Sequence, residues 1–333
     1  MRPGNAQDMV ETQETKICPP DIHLDWNGLS QVEWENLLSQ AKGVSLQQSW
    51  AYGAALVERG AKVRRFVACR NNRPIALAQV IVRSYYGVFR MVTLMRGPVW
   101  LVELSTQEKL EVLRQIRALY PRRQRYFLIL TPEEEAPDMA RAMIRHGFHQ
   151  VITGYSTSLV SLEGDGERLW AGLYGKWRNQ VRKAQKAGLV VRFGGYDHPL
   201  TDWLLSLEKK QQTEKNYRGL PVSLVEAFDR HCLKSSGVIT AFVYARSEQD
   251  EPLAAAMFLG HGAGATYHIG WNSKWGRKSH ALNLLLWESL LHLKKEGYRV
   301  LDLGGMNTVD SAELTRFKLG LGGEVKRLIG SYM

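Results

Sequence analysis

Residues 140–150 read ARAMIRHGFHQ and residues 314–325 read LTRFKLGLGGEV. Both are short amphipathic segments closed by glycine, the residue that ends a helix most readily because it accepts a left-handed backbone. What precedes them is also alike. Residues 65–84 (RFVACRNNRPIALAQVIVRS) are two β-rich runs around the turn Asn71-Asn72-Arg73-Pro74, and residues 240–262 (TAFVYARSEQDEPLAAAMFLGHG) are again strand, polar turn, strand. A third strand follows in each case, at residues 90–100 (RMVTLMRGPVW) and 264–272 (GATYHIGWN). Then comes an amphipathic helix, at 107–121 and 280–298, and a buried strand, at 125–132 (RYFLILTP) and 299–307 (RVLDLGGMN). Each half thus mixes antiparallel hairpins with one strand–helix–strand crossover, an α+β plan written twice.

The repeat lets the chain act as its own control. Setting Gly147 beside Gly322 puts Met143 opposite Lys318 and Ala142 opposite Phe317, and matching the preceding strands puts Leu128 opposite Asp302. A lysine on a short amphipathic segment is ordinarily a solvated surface residue. Here the first copy carries an apolar residue at the same station, so folding of the unit does not call for Lys318, and a chemical role is the alternative.

Composition bounds the rest. The 333 residues allow about two average domains, and 44% hydrophobic residues allow real cores. An excess of 44 Lys+Arg over 33 Asp+Glu gives a net charge of +11, which favours anionic partners such as nucleic acid or phosphorylated ligands. Three cysteines, Cys18, Cys69 and Cys232, are odd in number and widely spaced, which suggests neither a disulfide framework nor a metal site. The nine histidines show no HxxxH or HExxH spacing, so no metal is expected. The polar residues 1–20 read as a disordered tail, without an apolar leader, and the most apolar helix candidate (281–293) is too short to span a bilayer. A cytoplasmic protein is the expectation.

The charge is concentrated between the halves. From Arg168 to Tyr196 there are seven basic residues and no acidic one. Residues 177–188 (WRNQVRKAQKAG) read as a helix closed by Gly188, with Arg178, Arg182 and Lys186 on one face, Lys183 beside them, and Trp177, Val181 and Ala184 turned inward. Such a face is either simply solvated or a track for phosphates.

Taken together, LQQSWAYGAAL (46–56), RGPVW (96–100), KWRNQVRKAQKAGL (176–189), YHIGWN (267–272), LLLWESLLHLKKEGYRVLDLGG (284–305) and RFKLGLGG (316–323) resemble the Fem family of aminoacyl-tRNA-dependent transferases and the broader Fem-like N-acyltransferases. The resemblance runs from about Ser45 onward. It implies two tandem GNAT-like domains, expected at 21–165 on the acceptor side and 166–333 on the acyl-donor side. It implies a reaction centre at Phe317 and Lys318, where the lysine ammonium faces the oxyanion formed when an amine attacks an aminoacyl ester. Tyr267, Asp302, Trp50 and Lys215 become candidate substrate-binding residues, and Arg178, Arg182, Lys183 and Lys186 candidate contacts to RNA phosphates.

The implied activity is transfer of an aminoacyl group from aminoacyl-tRNA to a small-molecule or peptide amine, with no separate cofactor. An acyl-CoA- or acyl-carrier-dependent N-acyltransferase is the alternative, and a non-catalytic RNA-binding protein on the same fold is a third reading. Two departures bear on these. The stretch NSKWGRKSHALN (272–283) has one glycine and does not fit the R/Q-x-x-G-x-G/A loop that cradles the CoA pyrophosphate. Relatives that bind a UDP-linked muropeptide carry a lysine four residues after the tryptophan that Trp50 matches, where this chain has Ala54. An acceptor without a nucleotide is therefore expected.

Overall fold

The computed structural model describes residues 21–26, 28–41, 43, 45–214, 219–233, 237–246, 251–306 and 312–333. The expected tail at 1–20, Cys18 and Lys215 lie outside them. The first half runs β1 (Ile22–Trp26), α1 (Gln31–Gln40), α2 (Trp50–Glu58), β2 (Lys62–Arg70), β3 (Arg73–Tyr85), β4 (Phe89–Met95), β5 (Val99–Trp100), α3 (Thr106–Ala118), β6 (Tyr126–Thr131), α4 (Pro137–Arg145) and β7 (Gln150–Ile152). The second runs β8 (Ser156–Ser161), α5 (Gly166–Gly172), α6 (Gly175–Lys186), β9 (Leu189–Gly194), α7 (Thr201–Glu214), α8 (Val222–His231), β10 (Gly237–Ala245), β11 (Ala254–His261), β12 (Gly264–Asn272), α9 (Lys274–Lys278), α10 (Ala281–Lys295), β13 (Val300–Met306), α11 (Ala312–Leu319), β14 (Glu324–Arg327) and β15 (Ser331–Tyr332).

Local chemistry explains the elements that matter. Asn71 and Asn72 both take left-handed backbone (φ 50 and 59), the conformation a two-residue hairpin turn demands and asparagine tolerates, and they close β2 on β3 at Arg70↔Arg73. Ser105 caps α3 and Glu108 reaches back to the Ser105 N–H, a reciprocal cap that starts the first crossover helix. Gly147 and Gly322 both have φ +77, and their N–H groups donate to Ile144 O and Leu319 O at 3.1 and 3.0 Å. The two helix ends are therefore built alike, residue for residue, as the sequence alignment requires.

The sheets repeat the same order. The first is β1-β2-β3-β4-β6-β15-β7, and the second, read from its β9 edge, is β9-β10-β11-β12-β13-β8-β14. Position by position they match, with β15 standing in the first sheet where β8 stands in the second. Taken at the expected boundary, each side lends one strand to the other's sheet. β8 follows the first half in sequence yet pairs antiparallel with β13 and β14, while β15 ends the second half yet pairs with β6 and β7. Sheet membership thus crosses the expected boundary at residues 165 and 166 in both directions, because the strand after each β7-type edge finds its free partner only in the opposite sheet.

The cores follow this plan. One packs α3 and α4 on the first sheet, and another packs α6 and α10 on the second. A third is shared. It joins Tyr52, Ala55 and Leu56 of α2 and Ile81 of β3 to Leu204, Leu205, Leu224 and Phe228 of α7 and α8. The fold is α+β, two tandem GNAT-like units with mixed sheets flanked by helices.

Candidate active site

The two halves differ most where their parallel strand pair runs. In the first, β4 and β6 pair from Arg90↔Tyr126 to Met95↔Thr131. In the second, β12 and β13 pair only over Gly264–Thr266 with Val300–Asp302. Two irregularities flank the parting. β12 is bulged against β11, with Met257↔Ile269 followed by Phe258↔Tyr267, so that His268 is the extra residue. β13 shifts against β8 between Asp302 and Gly305, and Gly304 has φ +71, a backbone that only glycine adopts without strain. Bulges bend strands away from their neighbours, and here they open the sheet at its centre.

Lys318 stands at this opening. Far from being solvated, it is 8% exposed, and its Nζ donates to Gly305 O at 2.9 Å. Nζ and the main-chain oxygen of Tyr267 each lie 3.9 Å from the point where a Cβ on Gly304 would sit, so the lysine overhangs the gap between the parted strands. Burial lowers its pKa and the Asp302 carboxylate opposes the shift. A buried ammonium acts in a lower dielectric than water, which strengthens its pull on a developing negative charge.

Phe317 is placed by packing. Its ring lies 5.1 Å from that of Trp177, and its carbonyl accepts from Trp177 Nε1 at 3.1 Å, so it ties α11 to α6. Tyr267 is half-buried with its hydroxyl over Gly270, where a Cβ would be 1.6 Å from the oxygen. Burial and then Glu208 push its phenol up, so the hydroxyl stays protonated.

Asp302 and Trp50 are committed elsewhere. Asp302 is 1% exposed; one carboxylate oxygen accepts from Thr157 Oγ1 and Gly304 N at 2.7 and 2.8 Å, and the other pairs with Arg96. Burial raises its pKa, but Arg96 and these bonds outweigh that and hold it below the usual carboxylate range. Arg96, itself 6% exposed, also grips Glu133 through Nε and Nη2, both at 2.6 Å. Asp302 is therefore the anchor of a buried bridge between the halves. The Trp50 ring lies under the Arg65 guanidinium at 3.6 Å, and the Trp50 backbone N–H donates to Glu35 Oε1 at 2.8 Å. It holds α2 to the first half.

Along α6, Trp177, Val181 and Ala184 are buried, as the helical spacing requires. Arg178 departs from the expected phosphate track. Its Nη1 donates to Ala171 O and Leu173 O at 2.9 and 2.6 Å, closing the carbonyl end of α5. Arg182, Lys183 and Lys186 remain exposed. The sequence reading missed what continues them. On α9, Lys274, Arg277 and Lys278 are exposed around Trp275, which is 71% exposed, and burial and then the Lys183 charge depress the pKa of His280 just beyond. A tryptophan among lysines had no periodicity to reveal it.

Among the described residues, one trio of metal-type donors lies within 4.8 Å: His23, Asp25 and Cys69, on the outer strand pair of the first sheet. It comes from two strands, so no sequence spacing displays it. No helix among the described residues is long and apolar enough to cross a membrane.

Residues 175–319 match the family described as acetyltransferase (GNAT) domain. The match covers the parted strands, α11 and Lys318, and it bears out the expectation of an N-acyltransferase enzyme. Among solved structures, FemX is similar over 92% of this chain and 96% of its own, at 14% identity and a TM-score of 0.77. The C-terminal domain of a putative lysylphosphatidylglycerol synthetase from Agrobacterium fabrum is similar at 13% identity over 91% and 92%, with a TM-score of 0.50. A tandem GNAT protein from the clavulanic acid biosynthesis pathway is similar at 12% identity over 94% and 98%, also at 0.50. At such identities the likeness is one of fold, and it bears out the Fem-like, tandem GNAT architecture. No curated protein sequence matches the chain.

Proposed function

We propose that the protein transfers an aminoacyl group from aminoacyl-tRNA to the amine of a small molecule or peptide, in the cytoplasm where charged tRNA is made. The observation that carries this is the buried Lys318 ammonium at the opening between β12 and β13. An acceptor amine attacking the acyl carbon drives electrons onto the carbonyl oxygen. Nζ faces that oxyanion, and collapse of the intermediate breaks the C–O bond to the tRNA and leaves an amide. Of the relatives, the putative lysylphosphatidylglycerol synthetase is by its name concerned with an aminoacylated product, which accords with an aminoacyl donor.

The choice of tRNA over acyl-CoA rests on two features. Between β12 and α10, where a CoA enzyme presents free N–H groups to the pyrophosphate, this chain folds into α9. There Gly276 N donates to Ser273 Oγ, Arg277 N to Ser273 O, Ser279 N to Trp275 O and His280 N to Arg277 O, so these donors are already engaged. The exposed cations of α6 and α9, with Trp275 among them, instead suit a phosphate backbone and a stacked base. Ala54 in place of the muropeptide-binding lysine supports an acceptor without a UDP group.

The test is to incubate the protein with a mixture of charged tRNAs and, separately, with acyl-CoA, each with a panel of amines and short peptides, and to follow acyl transfer by mass spectrometry. Ribonuclease-sensitive amide formation is expected. Transfer from acyl-CoA alone would overturn the donor assignment.

A further inference from the structure

One proton in this chemistry has no acceptor among the residues named so far. As the amine nitrogen bonds to the acyl carbon it becomes positively charged, and it must lose a proton before the amide forms. Lys318 as an ammonium has no lone pair to receive it. Asp302 has both oxygens engaged, one by Thr157 and Gly304 and the other by Arg96.

His268 is differently placed. It is the extra residue of the β12 bulge, two positions beyond the last residue of β12 that pairs with β13. The carbonyl leading into it, that of Tyr267, and Lys318 Nζ lie equally far, 3.9 Å, from the same point above Gly304. His268 Nε2 is buried and meets no hydrogen-bond partner. A structural histidine in this protein is satisfied: His261 Nε2 lies 2.9 Å from Thr266 Oγ1. Buried ring nitrogens without a partner are uncommon, and one beside a gap in a sheet points to a partner that arrives with substrate. Burial keeps the imidazole neutral, its pKa pushed down to about 4, and the charge opposing that shift is Glu208 of α7. Glu208 is 7% exposed and accepts from Gln212 Nε2 at 3.0 Å.

We propose that His268 is the general base of the transfer, its Nε2 taking the proton from the attacking amine and returning it to the ester oxygen that leaves. The step balances: an N–H and a C–O bond are lost, an N–C and an O–H bond are gained, and the imidazole ends neutral. The inference rests on the aminoacyl-transfer reading.

The experiment compares the wild-type protein with His268→Gln and His268→Ala, using charged tRNA and an amine acceptor found active with the wild type. Loss of a general base lowers turnover by about 10²–10⁴-fold, with KM for the charged tRNA little changed. Two readouts separate a base from a packing residue. Added imidazole should restore turnover to His268→Ala, and enzyme-dependent transfer to hydroxylamine, a strong nucleophile largely unprotonated at neutral pH, should proceed in His268→Gln at close to the wild-type rate. Full turnover with the ordinary amine in His268→Gln overturns the proposal, as does a loss that neither imidazole nor hydroxylamine repairs. A wild-type protein that moves no acyl group from either donor overturns the aminoacyl-transfer reading instead. Transfer from acyl-CoA only would replace the donor, and the same variants would then decide the base.

Discussion

Lys318 and Met143 occupy one station in two copies of a fold, and the difference between them isolates chemistry from packing. Met143 is fully buried and Lys318 is 8% exposed, so both fill core space behind a left-handed glycine. Replacing the lysine with methionine removes one charge-assisted bond to Gly305 O, worth roughly 1.5–3 kcal/mol, and also removes the cost of burying an ammonium. We expect Lys318→Met to melt within a few degrees of the wild type by calorimetry, a net change of about 1 kcal/mol; loss of the folded state would mean the lysine is structural. The buried histidines give a second prediction. Burial holds His261 and His268 down to about 4, below the ordinary 6.5, so the unfolded chain binds more protons and stability is lost as pH falls from about 6.5 toward 4. The melting temperature should drop by several degrees between pH 7 and pH 5, and a flat profile would contradict neutral buried imidazoles. At this scale the repeat made Lys318 legible, because a mismatch within a repeat is visible in the letters. Its burial was not, since a short amphipathic pattern does not say which neighbour covers the charged position. His268 was illegible for a similar reason: its meaning comes from a bulge and a parted strand, neither of which leaves a spacing.

At the scale of elements, α6 separates two kinds of arginine. Arg178 closes the end of α5 through two carbonyls, whereas Arg182, Lys183 and Lys186 face solvent. Replacing those three with Gln should flatten the salt dependence of charged-tRNA binding by about 2 in log–log slope and leave melting unchanged. Arg178→Gln should do the reverse, costing about 1–2 kcal/mol of stability for lost bonds to buried-edge carbonyls while leaving the salt slope nearly intact. Filter binding across a salt series, with melting curves alongside, checks both. An unchanged slope in the triple variant would reduce the face to a solvated one. The helical period predicted correctly which residues of α6 turn inward. It could not show that Arg178 reaches back over the preceding helix, because a long flexible side chain is not bound to its own turn. α7 and α8, which bring Glu208, lie between β9 and β10 as α1 and α2 lie between β1 and β2; neither pair was read, because the repeat shows in the letters only from the hairpin that follows them.

For the molecule as a whole, the exchanged strands and the Arg96 bridge hold the two halves together. Arg96 links Glu133 of the first half to Asp302 of the second, and Asp302 in turn fixes Gly304 at the site. Arg96→Met strands a buried carboxylate and should cost about 3–5 kcal/mol, and adding Asp302→Asn should recover part of it. Chemical denaturation of the single and double variants measures this; additive losses would mean the pair is not coupled. The duplicated plan was plain in the sequence because each half spells out its hairpin and crossover locally. The exchange of β8 and β15 was not, since each is short and finds its partners on the far side of the chain.

The central claim is that the acyl group is transferred at the opening between β12 and β13 with Lys318 facing the oxyanion. The most direct measurement is turnover of Lys318→Met, with charged tRNA as donor and an acceptor active with the wild type, in protein shown to be folded and to bind tRNA normally. A fall of about 10²–10³-fold in kcat is predicted. Turnover at the wild-type rate would contradict it.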